Sequence, residues 1–456
     1  MRRIAFLSPL PPATSGIADY SGELVPALAR HCEIDLFTEH AEETDTLLAQ
    51  SFAVRSLDDF RAADRRRPYS GVVYQIGNGA AHHGAIYRTL LQRPGIVVLH
   101  EYMLHHLMRD LALEHGGKAA FVEEMRYCYG GTGLAMAGRL LHANDLPEMW
   151  TYPLFERLVD AAQGLIVHSR ATRDRVLASR PDTRIVIVPH HLSLHDAAAG
   201  GPEVRARLLS QLGIDVEAFV VASFGHLNPA KRLDVSLRAF ARFRQSHPQA
   251  VYLLVGEVAH AYSELDELLL GELGQGVVTT GRVPLDTLLQ HMAHCDVAVN
   301  LRHPTGGETS GACLRLLGLG RAVVVTDAGW FSEIPDDCCA KIPLGDAEEE
   351  TLFALLEALA DHEPLRRAMQ ANAARWAASQ HRLEDSASDY AAFIDEVADT
   401  APEAYLAVPP LAPEPTDDVT TPLIAEISRA LGDLGFQERD TEIHQALAAA
   451  LVSLDL

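Results

Sequence analysis

The residues from Asn300 to Val325 hold the densest set of groups able to bind an anion beside a hydroxyl-rich neighbour. The order is an apolar run, a glycine loop, a helical pattern and a second apolar run. Gly306, Gly307 and Gly311 let backbone N–H groups approach a ligand closely, and a helix starting near Ser310 points its positive end at an anion. Glu308 would repel a phosphate, so it suits hydroxyl groups next to one. Arg315 stands one helical turn after Gly311, on the same side as the loop. The competing reading is an ordinary strand-to-helix turn with Thr309 or Ser310 as N-cap.

Three further segments carry chemistry-bearing residues. Phe224-Gly225-His-Leu-Asn-Pro-Ala-Lys231-Arg232-Leu-Asp234 ends a strand and opens an amphipathic helix with Leu233, Leu237, Phe240 and Phe243 on one stripe. Ser8 to Tyr20 is a loop around Gly16 after the first apolar run, and it lacks the G-x-G-x-x-G spacing of a dinucleotide-binding dehydrogenase. Histidines gather at His82, His83, His100, His105 and His106. Of these, His100 ends a strand together with Glu101, at the carboxyl edge where open α/β sheets bind ligands. Adjacent His105 and His106 point about 100° apart on a helix and do not make a metal pair. Gly77-Asn78-Gly79 is a turn facing the same edge, which puts Asn78, with His82 beyond it, in reach of an acceptor. Asp58-Asp59 and Asp336-Asp337 follow no buried strand and read as solvated turn residues, so no metal site is expected.

The elements that must position these groups are short apolar runs, rich in Val and Ile and without polar alternation, as in strands buried on both faces of a parallel sheet. They lie at Ile4 to Leu7, Ile34 to Phe37, Val72 to Ile76, Ile96 to Leu99, Leu165 to Val167 and Ile185 to Val188 in the first half. The second half has Phe219 to Ala222, Val251 to Val255, Val277 to Val278, Val297 to Val299, Val323 to Val325 and Ile342. Two such series separated by helical patterns imply two doubly wound α/β domains, residues 1–195 and 205–385. Ala197 to Pro202 reads as a flexible crossing, and the stretch from His100 to Tyr152 as a helical excursion. Leu383 to Val397 reads as a closing helix, assigned to residues 386–400; a proline-rich linker and a short helical tail follow at 401–456.

With 38 basic against 62 acidic residues, the formal charge of −24 repels nucleic acid and anionic lipid. No run approaches the roughly 18 apolar residues of a membrane span, so at most peripheral membrane contact is expected. The six cysteines form no CxxC pair and suit reduced thiols in the cytoplasm.

These motifs, in this order, resemble the retaining glycosyltransferases of family 4 (glycosyltransferase group 1), which have the GT-B fold of two Rossmann-like domains facing a cleft; the resemblance covers roughly residues 1–400. It implies a hexosyltransferase that moves a sugar from a nucleotide diphosphate sugar to a hydroxyl on a glycan, a lipid-linked or a small-molecule acceptor. No cofactor and no metal are implied, and a homo-oligomer stays open. In the resemblance Gly16, Gly225 and Lys231 face the donor diphosphate and Val283 meets the base. Glu308 orients the sugar, Arg315 supplies positive charge to the phosphates, and Arg232, Thr309, Ser310 and Gly311 are further donor-binding residues. His100 lies near the transferred sugar, and Glu308, His100 and Lys231 are the implied catalytic residues. The sequence departs from the family twice. Arg315 stands where a ribose-holding Glu is usual, and His226 where an Arg often helps Lys231. A nucleotide-sugar epimerase or a phosphorylase on the same fold, and a degenerate binding module, are the alternatives.

Overall fold

The structure, a computed structural model, describes residues 1–399 except 116, 142–146, 195–200 and 260–261. The expected tail at 401–456 and most of the crossing at Ala197 to Pro202 lie outside the described residues.

Two parallel sheets are present. The first contains β1 (Arg2–Leu7), β2 (Cys32–Thr38), β3 (Ala53–Ser56), β4 (Gly71–Ile76), β5 (Ile96–Leu99), β6 (Gly164–Val167) and β7 (Ile185–Ile187), in the order β3-β2-β1-β4-β5-β6-β7. The second contains β8 (Val220–Phe224), β9 (Val251–Val255), β10 (Val277–Gly281), β11 (Val297–Asn300), β12 (Ala322–Thr326) and β13 (Ala340–Ile342), in the order β10-β9-β8-β11-β12-β13. In each sheet the chain reverses direction beside its first strand, which opens a crevice at the carboxyl ends of the strands.

Each sheet is buried on both faces because successive side chains of a strand point opposite ways. In β1, Ile4 and Phe6 enter one apolar layer while Ala5 and Leu7 enter the other. In β12, Val323 and Val325 face one layer, and Ala322 and Val324 the other. Each fully buried Val, Ile, Leu or Phe contributes ~1.5–3 kcal/mol, which is why uninterrupted apolar runs mark these strands. Leu233, Leu237, Phe240 and Phe243 are fully buried in the Leu233–Ser246 helix, as the stripe predicts.

Between β5 and β6 the chain runs through helices His105–His115 and Gly117–Leu141, which is the expected excursion. Asp58 and Asp59 are a correction. They sit in the first turn of the Leu57–Arg66 helix, where acidic side chains meet the positive helix end, and Ser56 caps that helix.

The helix Leu383–Asp399 returns to the first domain. Tyr390, Phe393, Ile394 and Val397 pack with Ile4, Phe6 and Tyr20. The Tyr20 and Tyr390 hydroxyls are 2.8 Å apart, and a Cβ on Gly164 would sit 2.8 Å from the Phe393 ring. The chain therefore returns from the second domain to the first, and the returning helix braces the first sheet.

Candidate active site

The glycine loop after β11 is pinned by the first domain. The Tyr102 N–H donates to the Gly306 carbonyl at 2.8 Å, the Thr172 hydroxyl to the Gly307 carbonyl at 2.9 Å and the Tyr102 hydroxyl to the Thr305 carbonyl at 3.2 Å. Gly307 has φ +85°, and a Cβ there would lie 2.3 Å from the Tyr102 ring. Only glycine fits. On the other side of the interface the Glu333 carboxylate accepts the Arg170 and Ala171 N–H groups, capping the Arg170–Ser179 helix across the domains.

Two cavities open in this cleft and share Ser15 and Gly16. The larger, about 910 Å³, is lined by Pro12 to Gly16 on one side and by Gly225, His226, Arg282, Val283 and Leu288 on the other. The smaller, about 310 Å³, lies between the domains, with Asn78, His82, His100 and Glu101 from the first and Glu308, Thr309, Gly311 and Arg315 from the second. A Cβ on Gly16 would meet nothing within 4 Å, so its backbone faces open space between the two.

Glu308 is fixed rather than free. Its Oε2 accepts from the Gly306 N–H at 2.8 Å and from the Thr305 hydroxyl at 3.1 Å, and its Oε1 lies 3.2 Å from Arg302 Nε. Lys231 is buried behind Gly225. Its Nζ donates to the Phe224 carbonyl at 2.5 Å and would lie 3.7 Å from a Cβ on Gly225, itself at φ +85°. Burial first, then the neighbouring Arg302, push the Lys231 ammonium down to about 7, against the pull of Glu308.

Arg315 lies where its spacing places it, on the cavity wall in the Gly311–Gly318 helix. It also reaches the other domain, since its Nη2 is 3.5 Å from Glu23 Oε1. Glu23 Oε2 in turn is 3.1 Å from His191 Nε2.

Three expected site residues serve the fold as well or instead. Ser310 is the N-cap of the Gly311–Gly318 helix, accepting the Cys313 N–H at 3.2 Å, and does not line either cavity. Arg232 is turned away to Glu348, 2.6 Å distant, because its left-handed backbone (φ +53°) ends one helical turn and starts the next. Asn78 lines the smaller cavity, but its Oδ1 accepts the Leu107 N–H at 3.1 Å and so positions the excursion helix. His105 is buried, with Nδ1 2.9 Å from the Tyr152 carbonyl.

Four buried histidines on the cavity, His83, His100, His168 and His190, are held neutral. Burial pushes His100 and His190 well below the usual range and His83 and His168 down to about 4. His100 Nε2 lies 2.6 Å from Gln75 Oε1. Neutral His168 must donate Nδ1–H to the Val188 carbonyl at 2.8 Å, which leaves its buried Nε2 without a partner. The Thr309 hydroxyl is likewise buried without a partner.

Glu101, Glu23, Arg302, His168 and His190 are parts of the site that the sequence motifs do not single out. His168 and His190 follow strands β6 and β7 at their carboxyl ends, the positional signal that marks His100. Glu23 carries no such signal, because its partners Arg315 and His191 come from remote segments.

Residues 218–361 match the family model described as Glycosyl transferases group 1. D-inositol 3-phosphate glycosyltransferase of Corynebacterium kroppenstedtii is 25% identical over 268 residues, 55% of this chain and 58% of that protein, so the match spans less than two thirds of its relative. Among solved structures, Anabaena HepE in complex with UDP-glucose superposes with a TM-score of 0.61 at 17% identity, covering 87% of this chain and 100% of that one. Sucrose-phosphate synthase from Thermosynechococcus elongatus gives 0.60 at 15% identity, covering 87% and 99%. Both likenesses carry the fold, two Rossmann-like domains around a cleft. The chain thus has the GT-B fold, and its residues 218–361 are similar to the group 1 glycosyl transferases.

Proposed function

We propose that this chain transfers a hexosyl unit from a nucleoside diphosphate sugar to an acceptor hydroxyl, with retention at the anomeric carbon and without a metal ion. The observation that carries the reading is the pair of adjoining cavities. One is bounded by Gly225 and Val283 and is large enough for a nucleotide; the other is bounded by His100, Glu308 and Arg315. They meet at Gly16, where the diphosphate would lie.

Positive charge for the leaving diphosphate comes from Lys231 beside Gly225, from Arg315 and from the N-terminus of the Gly311–Gly318 helix. Arg302, close to both Lys231 and Glu308, offers a second cation at the site. Glu308 orients the sugar. The carboxylates at the site are already engaged or protonated, so the acceptor attacks from the face of the departing phosphate, which takes the acceptor's proton. The protein positions and neutralises. The complex of HepE with UDP-glucose makes that sugar nucleotide the first donor to try.

Proton NMR of donor turnover, with UDP-, GDP- and ADP-glucose in the presence of EDTA, tests the proposal. A product with the donor's anomeric configuration supports it. An inverted product, or turnover that stops with EDTA and returns with Mg²⁺, contradicts the mechanism; turnover of none of the donors contradicts the function.

A further inference from the structure

The smaller cavity contains a second carboxyl group that the reading above leaves unused. Glu101 extends from the carboxyl end of β5 into the cleft, and its Oε1 accepts the Asn78 N–H at 3.1 Å. Its Oε2 comes up against the glycine loop of the other domain. A Cβ on Gly306 would lie 3.3 Å from Glu101 Oε2 and 3.4 Å from Glu308 Oε2. Two carboxyl groups, one from each domain, thus come close to the same point beside Gly306 and line the same cavity.

The partners of the two groups differ. Glu308 has two hydrogen-bond donors and the Arg302 guanidinium. Glu101 has one backbone N–H and no cation at hydrogen-bonding distance among its described contacts. Two such groups in a desolvated cleft do not both ionise, and the better-served one takes the charge. Glu308 is therefore the carboxylate and Glu101 the carboxylic acid. One then offers only lone pairs and the other an O–H donor. A hydroxyl group needs one of each.

We propose that Glu101 and Glu308 clamp a single hydroxyl of the donor's glycosyl unit between the two domains, Glu101 donating its acid proton to the hydroxyl oxygen and Glu308 accepting the hydroxyl proton. The inference rests on the donor reading above and adds to it the residue that reads the sugar from the first domain. It also assigns a use to the pinned loop, since only with Gly306 held against Tyr102 do the two carboxyl groups face one another.

The charged and titratable groups around Glu101 agree. Burial, followed by the facing Glu308, raises its carboxyl to about 8, while the Asn78 N–H and Arg302 pull the other way. Lys231 lies beyond Glu308. The buried histidines on the cavity, His83 and His100 among them, are neutral and do not counter the effect. Above about pH 8 both carboxyl groups would carry lone pairs only, and the hydroxyl oxygen would face a repelling one.

The test uses the full chain with uniformly carboxyl-labelled glutamate. Carbon NMR of the ligand-free protein should show one glutamate carboxyl titrating near pH 8, missing in Glu101→Gln; this reads the acid directly, without catalysis. With UDP-glucose, kcat/KM of the wild type should fall tenfold per pH unit above pH 7 as Lys231 loses its proton, and a further tenfold per unit above pH 8 as Glu101 does. Glu101→Gln, which donates an N–H at every pH, should be a few-fold slower at pH 7 and lack that further fall. Glu101→Ala should lose about 10- to 100-fold, mainly in kcat. A glutamate spectrum with no carboxyl titrating above pH 6, or a Glu101→Gln enzyme that keeps the further fall above pH 8, overturns the clamp. A titrating Glu101 in a protein that turns over no sugar nucleotide overturns the transferase reading instead. Should Glu101→Gln fail to fold, Glu308→Gln gives the same spectrum a second check, since removing the facing charge must move the Glu101 signal toward lower pH.

Discussion

Replacing Lys231 with methionine should make the protein more stable and a poorer nucleotide binder at the same time. The side chain is buried, and its ammonium titrates at about 7 rather than 10.5. The unfolded chain keeps that proton up to 10.5, so it binds more protons than the native state between pH 7 and 10.5, and native stability rises with pH across that window. At ~1.4 kcal/mol per pH unit, the lysine costs the fold about 4 to 5 kcal/mol at and below pH 7. Methionine removes the cost and forfeits the bond to the Phe224 carbonyl, worth about 1 kcal/mol. A net gain of about 3 kcal/mol follows, largest below pH 7 and gone by pH 10.5. Thermal and urea melts from pH 6 to 10 read it. Calorimetric titration with UDP, GDP and ADP reads the other half. A bound diphosphate restores the ammonium, so wild type should take up about half a proton at pH 7, visible as a dependence of binding heat on the buffer. Lys231→Met should take up none and bind about 10- to 100-fold more weakly. A variant that is less stable at pH 7, or that binds as tightly as wild type, would refute the reasoning.

Other perturbations have equally direct readouts. Arg315→Ala leaves Glu23 facing the cavity without that guanidinium, so nucleoside diphosphate affinity should fall about 10- to 100-fold; unchanged affinity in calorimetry would dismiss Arg315 as a phosphate ligand. Gly307→Ala must push Tyr102 off the loop, so kcat/KM should drop at least about tenfold (~1.4 kcal/mol), and full activity would show that the clamp is dispensable. Glu101 acts on stability with the opposite sign to Lys231. The native state keeps its proton up to about pH 8 while the unfolded chain loses it near 4.5, so this group makes stability fall as pH rises between those values. Melts of Glu101→Gln across pH 4.5 to 8 should lack that contribution.

Much of the architecture was legible because parallel sheets covered on both faces need apolar side chains in both directions, as in Val323 to Val325 and Ile96 to Leu99. β3 was missed because it is an edge strand of four residues, Ala53–Ser56, none fully buried. The Glu308 loop and Arg315 were legible through glycine spacing and one helical turn. Ser310 was assigned to the ligand but caps its helix, since a serine before a helix satisfies either demand and local sequence cannot distinguish them. Glu101 and Glu23 depend on Glu308 and Arg315, two hundred or more residues away in the other domain. Their chemistry arises only when the domains meet. No described helix is long and apolar enough to cross a membrane.

The central claim is that a nucleoside diphosphate binds across the cleft, and hydrogen–deuterium exchange measures this most directly. With saturating UDP, GDP or ADP, amides in 12–19, 225–226, 282–288 and 306–315 should gain protection together, from both domains. Protection in none of these segments with any of the three nucleotides, or in one domain alone, would contradict the account.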